Sequence, residues 1–557
     1  MRRNLLALLI ALILVFAAYA ASLNNEFLLD DKTLIQHNSF LQSASLGEIL
    51  FRPYWEGQST DQTTYRPLAS FTFYLSYRLH KLSKAGYHLT NLIILALAGW
   101  IVFLWLTRSV KRFWVAMFGM SAFILHPAMS EVAVNVVGRS DILAIAFLVG
   151  ALLLEEEAAN SIQNPRRTLA FAIFSLLLFL AALFSKEFAI LFIPMWVLQV
   201  FLLRDRTHRS AQKNLLVGYA LGLLCVVFIF LLFRQFAFER SLAGAAALSS
   251  LPTKLHSPLS LRLDLAAKAL GRYFLLLIVP YPLKITYEAS SLSGEIYPTT
   301  SALSYGAIAL WIVAFAAAVI RRSKKFAHAL LWLPLSISIY PLLIILPWKA
   351  NINLFAERFL SLSVVGWALL VALLIEHLWP LAAQRSRAVK KAVIVIGAAY
   401  LALFLALDIK MSRVWHDDLS FASYLAKHSP ESATAHNNLA VAYAKKGEFN
   451  KAIGEFEATL KITQNFKTYI GLGMMHNELG DWKEAIVNFN EGLRRYPQGY
   501  NPAPLVEAYL GLGKAHENLG NTTQARQAYQ AALNIAPGLP MAADALKRLQ
   551  TSAEKQK

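Results

Sequence analysis

Long apolar runs leave this chain few ways to fold. The first, LLALLIALILVFAAYAA, begins at Leu5, and about ten more follow before residue 410. In hydrocarbon each main-chain amide must find its partner inside its own segment, so such runs read as helices. Spans are expected at about 89–107, 113–127, 140–154, 168–184, 188–203, 214–234, 301–320, 327–347, 356–378 and 389–408, after a first that ends near residue 23. The first run also ends in Ala18-Tyr19-Ala20, the small-residue pattern of a cleaved signal peptide. The spans that follow favour a first membrane helix. With 57% hydrophobic and only 16% charged residues, the composition is that of an integral membrane protein.

The net charge of +19 does not point to nucleic acid, because the basic residues lie in short clusters between apolar runs. These are Arg2–Arg3; Arg108, Lys111 and Arg112; Arg166–Arg167; Arg204, Arg206, Arg209 and Lys213; Arg321, Arg322, Lys324 and Lys325; and Arg385, Arg387, Lys390 and Lys391. About eleven crossings put all of them on one side, with the N-terminus cytoplasmic and the C-terminus external. Residues 263–283 are apolar but carry Lys268, Arg272 and two prolines, and a twelfth crossing would break that charge pattern. They read as an interfacial or re-entrant helix in an external loop of about 235–300. The single cysteine, Cys225, excludes an internal disulfide and reads as packing.

After residue 410 the composition turns polar and then repeats. Three segments align on Gly447, Gly480 and Gly520 at a turn, on Ala452, Ala485 and Ala525 at a helix crossing, and on Phe456, Phe489 and Tyr529 in the next layer. Pro497 and Pro537 end helices, and the QGYNPAP region interrupts the period between the second and third segments. This resembles the tetratricopeptide repeat, with residues 539–551 as a terminal capping helix.

Polar residues cluster on the side opposite the basic loops. They are Asp30–Asp31 after the first span, Arg66 in YRPL, His88 in GYHLTNL, and His126, Glu131, Arg139 and Asp141 in HPAMSEVAVNVVGRSDILA. Lys186–Glu187 in SKE and Glu357–Arg358 in AERFLSLSVVG complete the set. Each has a plain alternative: a helix cap, a headgroup contact, a wet turn or a weak local ion pair. Metal-binding, nucleotide-binding and nucleophile-elbow motifs are absent, so no metal site is expected.

Taken in order, these motifs resemble the transmembrane-and-tetratricopeptide O-mannosyltransferases, of the GT-C class of membrane glycosyltransferases, and their bacterial relatives. The resemblance runs through nearly the whole chain, and HPxxxE…VxGRxD is its most specific part. The chain departs from the animal enzymes in having three clear repeats and in the serine of HPAMSE. The fold implied is an all-α membrane protein: a GT-C-type bundle over 1–410 with external loops at about 23–88 and 235–300, a linker at 411–432, and an α-solenoid repeat domain over 433–557.

The resemblance also implies a polyprenyl-phosphate sugar donor, mannose by analogy, and inverting transfer to a protein hydroxyl on the external face. Asp31, or less favoured Asp30, is then the base. Arg66, Arg139, Lys186 and Arg358 are candidates for the donor phosphate, while His88, His126, Glu131, Asp141, Glu187 and Glu357 support the site. A phosphate leaving group needs charge stabilisation rather than a proton, so one base suffices. No cofactor is evident, and a divalent cation, though open, has no ligand set in the sequence to support it. The expected partners are the lipid donor, membrane lipid and a protein acceptor held by the repeats, in a bacterial inner membrane with the repeats periplasmic. Transfer to a lipid or envelope glycan, a non-catalytic membrane scaffold and a transporter stay open as other readings.

Overall fold

A computed structural model describes residues 2–56, 64–204, 212–239, 258–281, 283, 298–337, 356–497, 500 and 502–555. Its regular elements are helices, and it divides into two units, Met1–Asp417 and Asp418–Lys557.

The first unit is a multi-pass bundle. Among the described residues, eight helices are long and apolar enough to cross a membrane, and nine if the bent pair Phe113–Ile124 and Pro127–Val134 counts as one. The bend of 49° falls at His126–Pro127, where proline removes a main-chain donor. The expected span at 188–203 belongs to a shorter apolar helix, Glu187–Leu203. That at 327–347 is described only as Lys324–Ile337. Residues 338–355, Arg206, Arg209 and, within the loop at 235–300, residues 240–257, 282 and 284–297 lie outside the described residues. Leu259–Ile278 is a helix, with Lys268 paired to Asp264 one turn away, and it falls outside the set of long apolar helices.

Burial separates core from periphery. In Val136–Asn160, 78% of the apolar window is enclosed by protein, against 11% in Arg387–Val414. The first helix, Arg2–Tyr19, packs through Ala7, Ala11, Val15 and Ala18, small residues that allow close backbone approach. Cys225, expected in the packing, is exposed on the surface of Lys213–Glu239.

The described residues between 23 and 88 form a packed cap. Short helices at Ser39–Ser43 and Leu46–Leu50 join Pro67–His80 around Phe27, Ile35, Leu41, Ile49, Tyr54 and Phe73. Ser45 and Glu48 cap one another reciprocally and start the second short helix.

The second unit contains three helix pairs: Ala433–Lys445 with Phe449–Ile462, Phe466–Leu479 with Trp482–Arg494, and Ala503–Asn518 with Thr522–Ile535. Pro540–Lys555 closes the array. Ala452, Ala485 and Ala525 have no exposure, and Phe456, Phe489 and Tyr529 pack beside them. The segment read as a linker differs from that expectation. Residues up to Val414 continue the last span, and Asp418–His428 is a helix that buries Phe421, Ala422 and Leu425. At the repeat turns Gly447, Gly480 and Gly520 adopt φ of +78°, +84° and +74°. A side chain is disfavoured there, so Gly480→Ala should destabilise the repeat domain by about 1 kcal/mol in chemical unfolding followed by tryptophan fluorescence of Trp482.

Candidate active site

The acidic pair begins at an anchored point. Asn25 donates to the Ser412 carbonyl (3.0 Å), and the Glu26 N–H to that of His416 (2.9 Å), which tie the cap to the end of the last span. Leu29 then takes a φ of +46°, a left-handed turn unusual for leucine, and the two aspartates follow with opposite orientations.

Asp31 is 1% exposed. Its Oδ1 accepts the N–H of Val137 (2.8 Å) and its Oδ2 that of Val136 (3.1 Å). The carboxylate thereby holds the turn between Glu131 and Arg139. That turn has no room for a side chain at Gly138, where a Cβ would lie 2.3 Å from the Val132 carbonyl oxygen. Burial pushes the Asp31 carboxyl up to about 7, with the Val137 and Val136 amides opposing the shift. Such a value suits a general base, but both oxygens are occupied and out of reach of solvent, and geometry decides first. Asp30 is exposed and makes no side-chain hydrogen bond with the described residues. It lies within electrostatic reach of Arg358. Of the adjacent pair, Asp30 is thus the carboxylate open to solvent.

Three of the four candidate cations come together, each with a carboxylate. Arg66 clasps Glu187 through Nε and a terminal nitrogen at 2.8–3.1 Å. Its guanidinium also lies over the Tyr54 ring, 5.1 Å from the centroid. Lys186 pairs with Asp141, whose other oxygen accepts from Ser361 (3.4 Å). Arg358 pairs with Glu131 at 2.7 Å. Lys186 lies within electrostatic reach of both Arg66 and Arg358, so the three pairs form one cluster. Burial holds the Lys186 ammonium below the ordinary lysine value, with Asp141 opposing it.

Arg139 is a correction. It is fully buried and donates four hydrogen bonds: to Asn91 Oδ1 (2.7 Å), the Thr72 carbonyl (3.0 Å), Ser76 Oγ (2.8 Å) and the Tyr87 carbonyl (3.1 Å). Phe73 lies against its plane, 4.8 Å away. It has one N–H to spare and no route to a substrate, so it joins cap to bundle.

His126 and His88 also stay apart from the cluster. His126 Nδ1 accepts the Ala128 N–H (3.2 Å), which leaves Nε2–H to donate to the Leu277 carbonyl (3.1 Å). It fastens the bend to the helix Leu259–Ile278. His88 is buried, with neither ring nitrogen in a hydrogen bond of good geometry. Glu357 is buried beside Arg358. No group of three or more His, Cys, Asp or Glu arranged for a metal ion is found among the described residues.

Sequence reasoning missed Asp408 and Tyr54. Asp408 is fully buried and accepts from Ser130 Oγ (2.6 Å), so it steadies the residue next to Glu131. An acid inside the apolar run LALFLALDIK was a legible signal. Tyr54, beneath Arg66, had no signal beyond its aromatic character.

The comparisons agree with a membrane protein carrying helical repeats. Residues 464–538 and 420–465 match two tetratricopeptide repeat models. The chain is similar to proteins named as protein O-mannosyl-transferases. The protein O-mannosyl-transferase F38B6.6 of Caenorhabditis elegans is 30% identical over 215 residues, 37% of this chain and 29% of that relative. The protein O-mannosyl-transferase Tmtc1 of Drosophila melanogaster is 31% identical over 183 residues, 32% of this chain and 20% of that relative. The matched stretch thus spans under a third of these relatives' own length. Among solved structures, the Arabidopsis OM64 TPR domain is 24% identical, covering 22% of this chain and 96% of that one, with a TM-score of 0.20.

Because the folded state raises the Asp31 carboxyl, the native protein binds a proton there that the unfolded chain has released between about pH 4 and 7. Stability should fall as pH rises through that window and level off above it. Thermal melts of Asp31→Asn in detergent should lose this component of the pH dependence, with a lower melting temperature at acid pH from the poorer cap.

Proposed function

We propose that the protein transfers mannose from a polyprenyl-phosphate donor to a Ser or Thr hydroxyl of a protein, with inversion, on the external face of a bacterial inner membrane. The observation that carries this reading is the exposed Asp30 carboxylate beside the partly exposed Arg358, at the edge of a cluster of paired cations. The names of the similar proteins supply the reaction class and the sugar.

In this mechanism Asp30 accepts the hydroxyl proton while the hydroxyl oxygen attacks the anomeric carbon. The bond from that carbon to the phosphate oxygen breaks, and the polyprenyl phosphate leaves with the electron pair. Arg358, supported by Lys186 and Arg66, stabilises the growing negative charge; such preorganised donors contribute most where water is excluded. Attack opposite the leaving group inverts the centre. Asp31 keeps the Val136–Val137 turn in place and so positions Arg139, Asp141 and Glu131. An apolar groove of about 400 Å³, lined by Leu277, Gly306, Trp311, Leu333 and Trp367, offers a seat for the isoprenoid chain. The helix Leu259–Ile278 links it to the site, since Tyr273 donates to the Ala356 carbonyl, next to Glu357–Arg358.

The repeats hold the acceptor and raise its concentration at the site. No divalent cation is required in this scheme. Membranes containing wild type, Asp30→Asn, Asp31→Asn or Arg358→Ala, given a polyprenyl-phosphate mannose donor, test the assignment. Asp30→Asn should lower transfer at least about 100-fold at unchanged expression, and Arg358→Ala by a similar factor. Asp31→Asn should retain more activity than Asp30→Asn; the opposite order would return the base to Asp31. Removal of residues 418–557 should spare transfer to a short peptide and weaken transfer to whole proteins. Equal losses on both acceptors would remove the repeats from acceptor binding.

A further inference from the structure

We propose that Glu131 is a place-holder for the substrate's anionic group on Arg358, so that anion binding is coupled to uptake of one proton by the Glu131 carboxyl. This rests on the reading above, in which Arg358 receives the donor phosphate.

The argument starts from unequal exposure. The Arg358 side chain is 33% exposed, whereas that of Glu131 is 5%. The cation faces the solvent side of its pair, and the acid lies behind it. Only Oε1 of Glu131 is bound to the guanidinium; Oε2 is buried with no hydrogen bond of good geometry, although the Arg358 main-chain N–H adds to its stabilisation. Arg358 is therefore the group that makes a charge on Glu131 tolerable.

Other cations cannot take over. The short helix Ser130–Val134 packs against elements that carry Arg358 and Glu357, Arg139 and Asp141, His88, Tyr19 and Asp408, and His126 precedes it. Arg139 is committed to four internal bonds, and Lys186 is paired with Asp141. His126 has both nitrogens engaged with main chain. Asp141 is an acid and opposes a charge on Glu131, Asp408 accepts from Ser130, and Tyr19 donates to the Ile124 carbonyl.

An arriving phosphodiester brings a full negative charge to the open side of Arg358. Two anions then share one guanidinium, and one of them is buried. A buried carboxylate that loses its partner is among the costliest groups in a protein, and it commonly takes up a proton instead. As a neutral acid, Glu131 regains a hydrogen-bond donor and leaves Arg358 fully to the phosphate. In the resting state the same carboxylate keeps Arg358 oriented and neutralised.

The linkage has a definite sign. Burial raises the unliganded Glu131 carboxyl and the Arg358 pair opposes that rise; with the pair keeping it charged and the complex holding it protonated, binding consumes up to one proton and weakens as pH rises. The test uses the full chain in nanodiscs and geranyl methyl phosphate, a phosphodiester whose single charge does not change between about pH 5 and 8. Calorimetry in two buffers of different ionisation enthalpy should show uptake approaching one proton per bound anion, with affinity falling by up to about tenfold per pH unit. Glu131→Gln should bind more tightly than wild type at pH 8 and lose the dependence.

Binding that is lost in Arg358→Ala yet flat with pH in wild type would overturn the place-holder role alone. So would a dependence that survives Glu131→Gln. No binding by wild type, or binding unchanged in Arg358→Ala, would overturn the phosphate assignment and the place-holder with it. Should Glu131→Gln fail to fold, wild type still keeps the role testable: anion binding without proton uptake overturns it.

Discussion

The buried Arg139 guanidinium is the fixture on which the membrane unit depends. A cation without solvent is tolerable only when its N–H groups are satisfied, and four of them reach oxygen on the cap helix Pro67–His80 and on the span Lys84–Ser109. Losing such a partner set would leave an unpaired charge in the interior, at about 3–5 kcal/mol. Its own place is set by the preceding turn, whose amides end on Asp31. One interaction thus joins the segment after the first span, the cap and the start of the most enclosed span. The candidate site lies along that seam.

Charge pairing then governs what the site can do. Arg66, Lys186 and Arg358 each have a carboxylate, and Asp30 is the exposed acid near them. The cluster is thus no simple basic pocket awaiting an anion. Pairing lets three cations survive together in a poorly hydrated place, and it obliges any incoming anion to compete with an internal one. Of the pairs, Arg358–Glu131 combines an open cation with an enclosed acid, which makes it the one most readily exchanged.

Much of this was legible before any fold was known. Apolar length marked the spans, and spacing marked Gly447, Gly480 and Gly520 with the alanine and aromatic layers. Polar residues at the ends of apolar runs identified Arg66, Lys186 and Arg358. Other features were not legible. Asp30 and Asp31 are adjacent and chemically alike, and only the turn at Leu29 sends one to solvent and the other to the Val136–Val137 amides. Arg139 had the same signature as Arg358, and its partners lie 48 to 67 residues away in sequence. The helix Asp418–His428 lies ahead of the three segments that align on glycine, and the last span's Asp408 shows its purpose only beside Ser130.

By itself the sequence determined an all-α membrane chain ending in tetratricopeptide repeats, because helix formation in lipid and repeat packing depend on local composition and fixed spacing. Tertiary structure alone decided which carboxylate faces solvent, which arginine is structural, and which cation belongs to which acid. Those outcomes depend on contacts between segments tens to hundreds of residues apart. In a low-dielectric interior, a displacement of a few ångströms separates a paired charge from an untenable one.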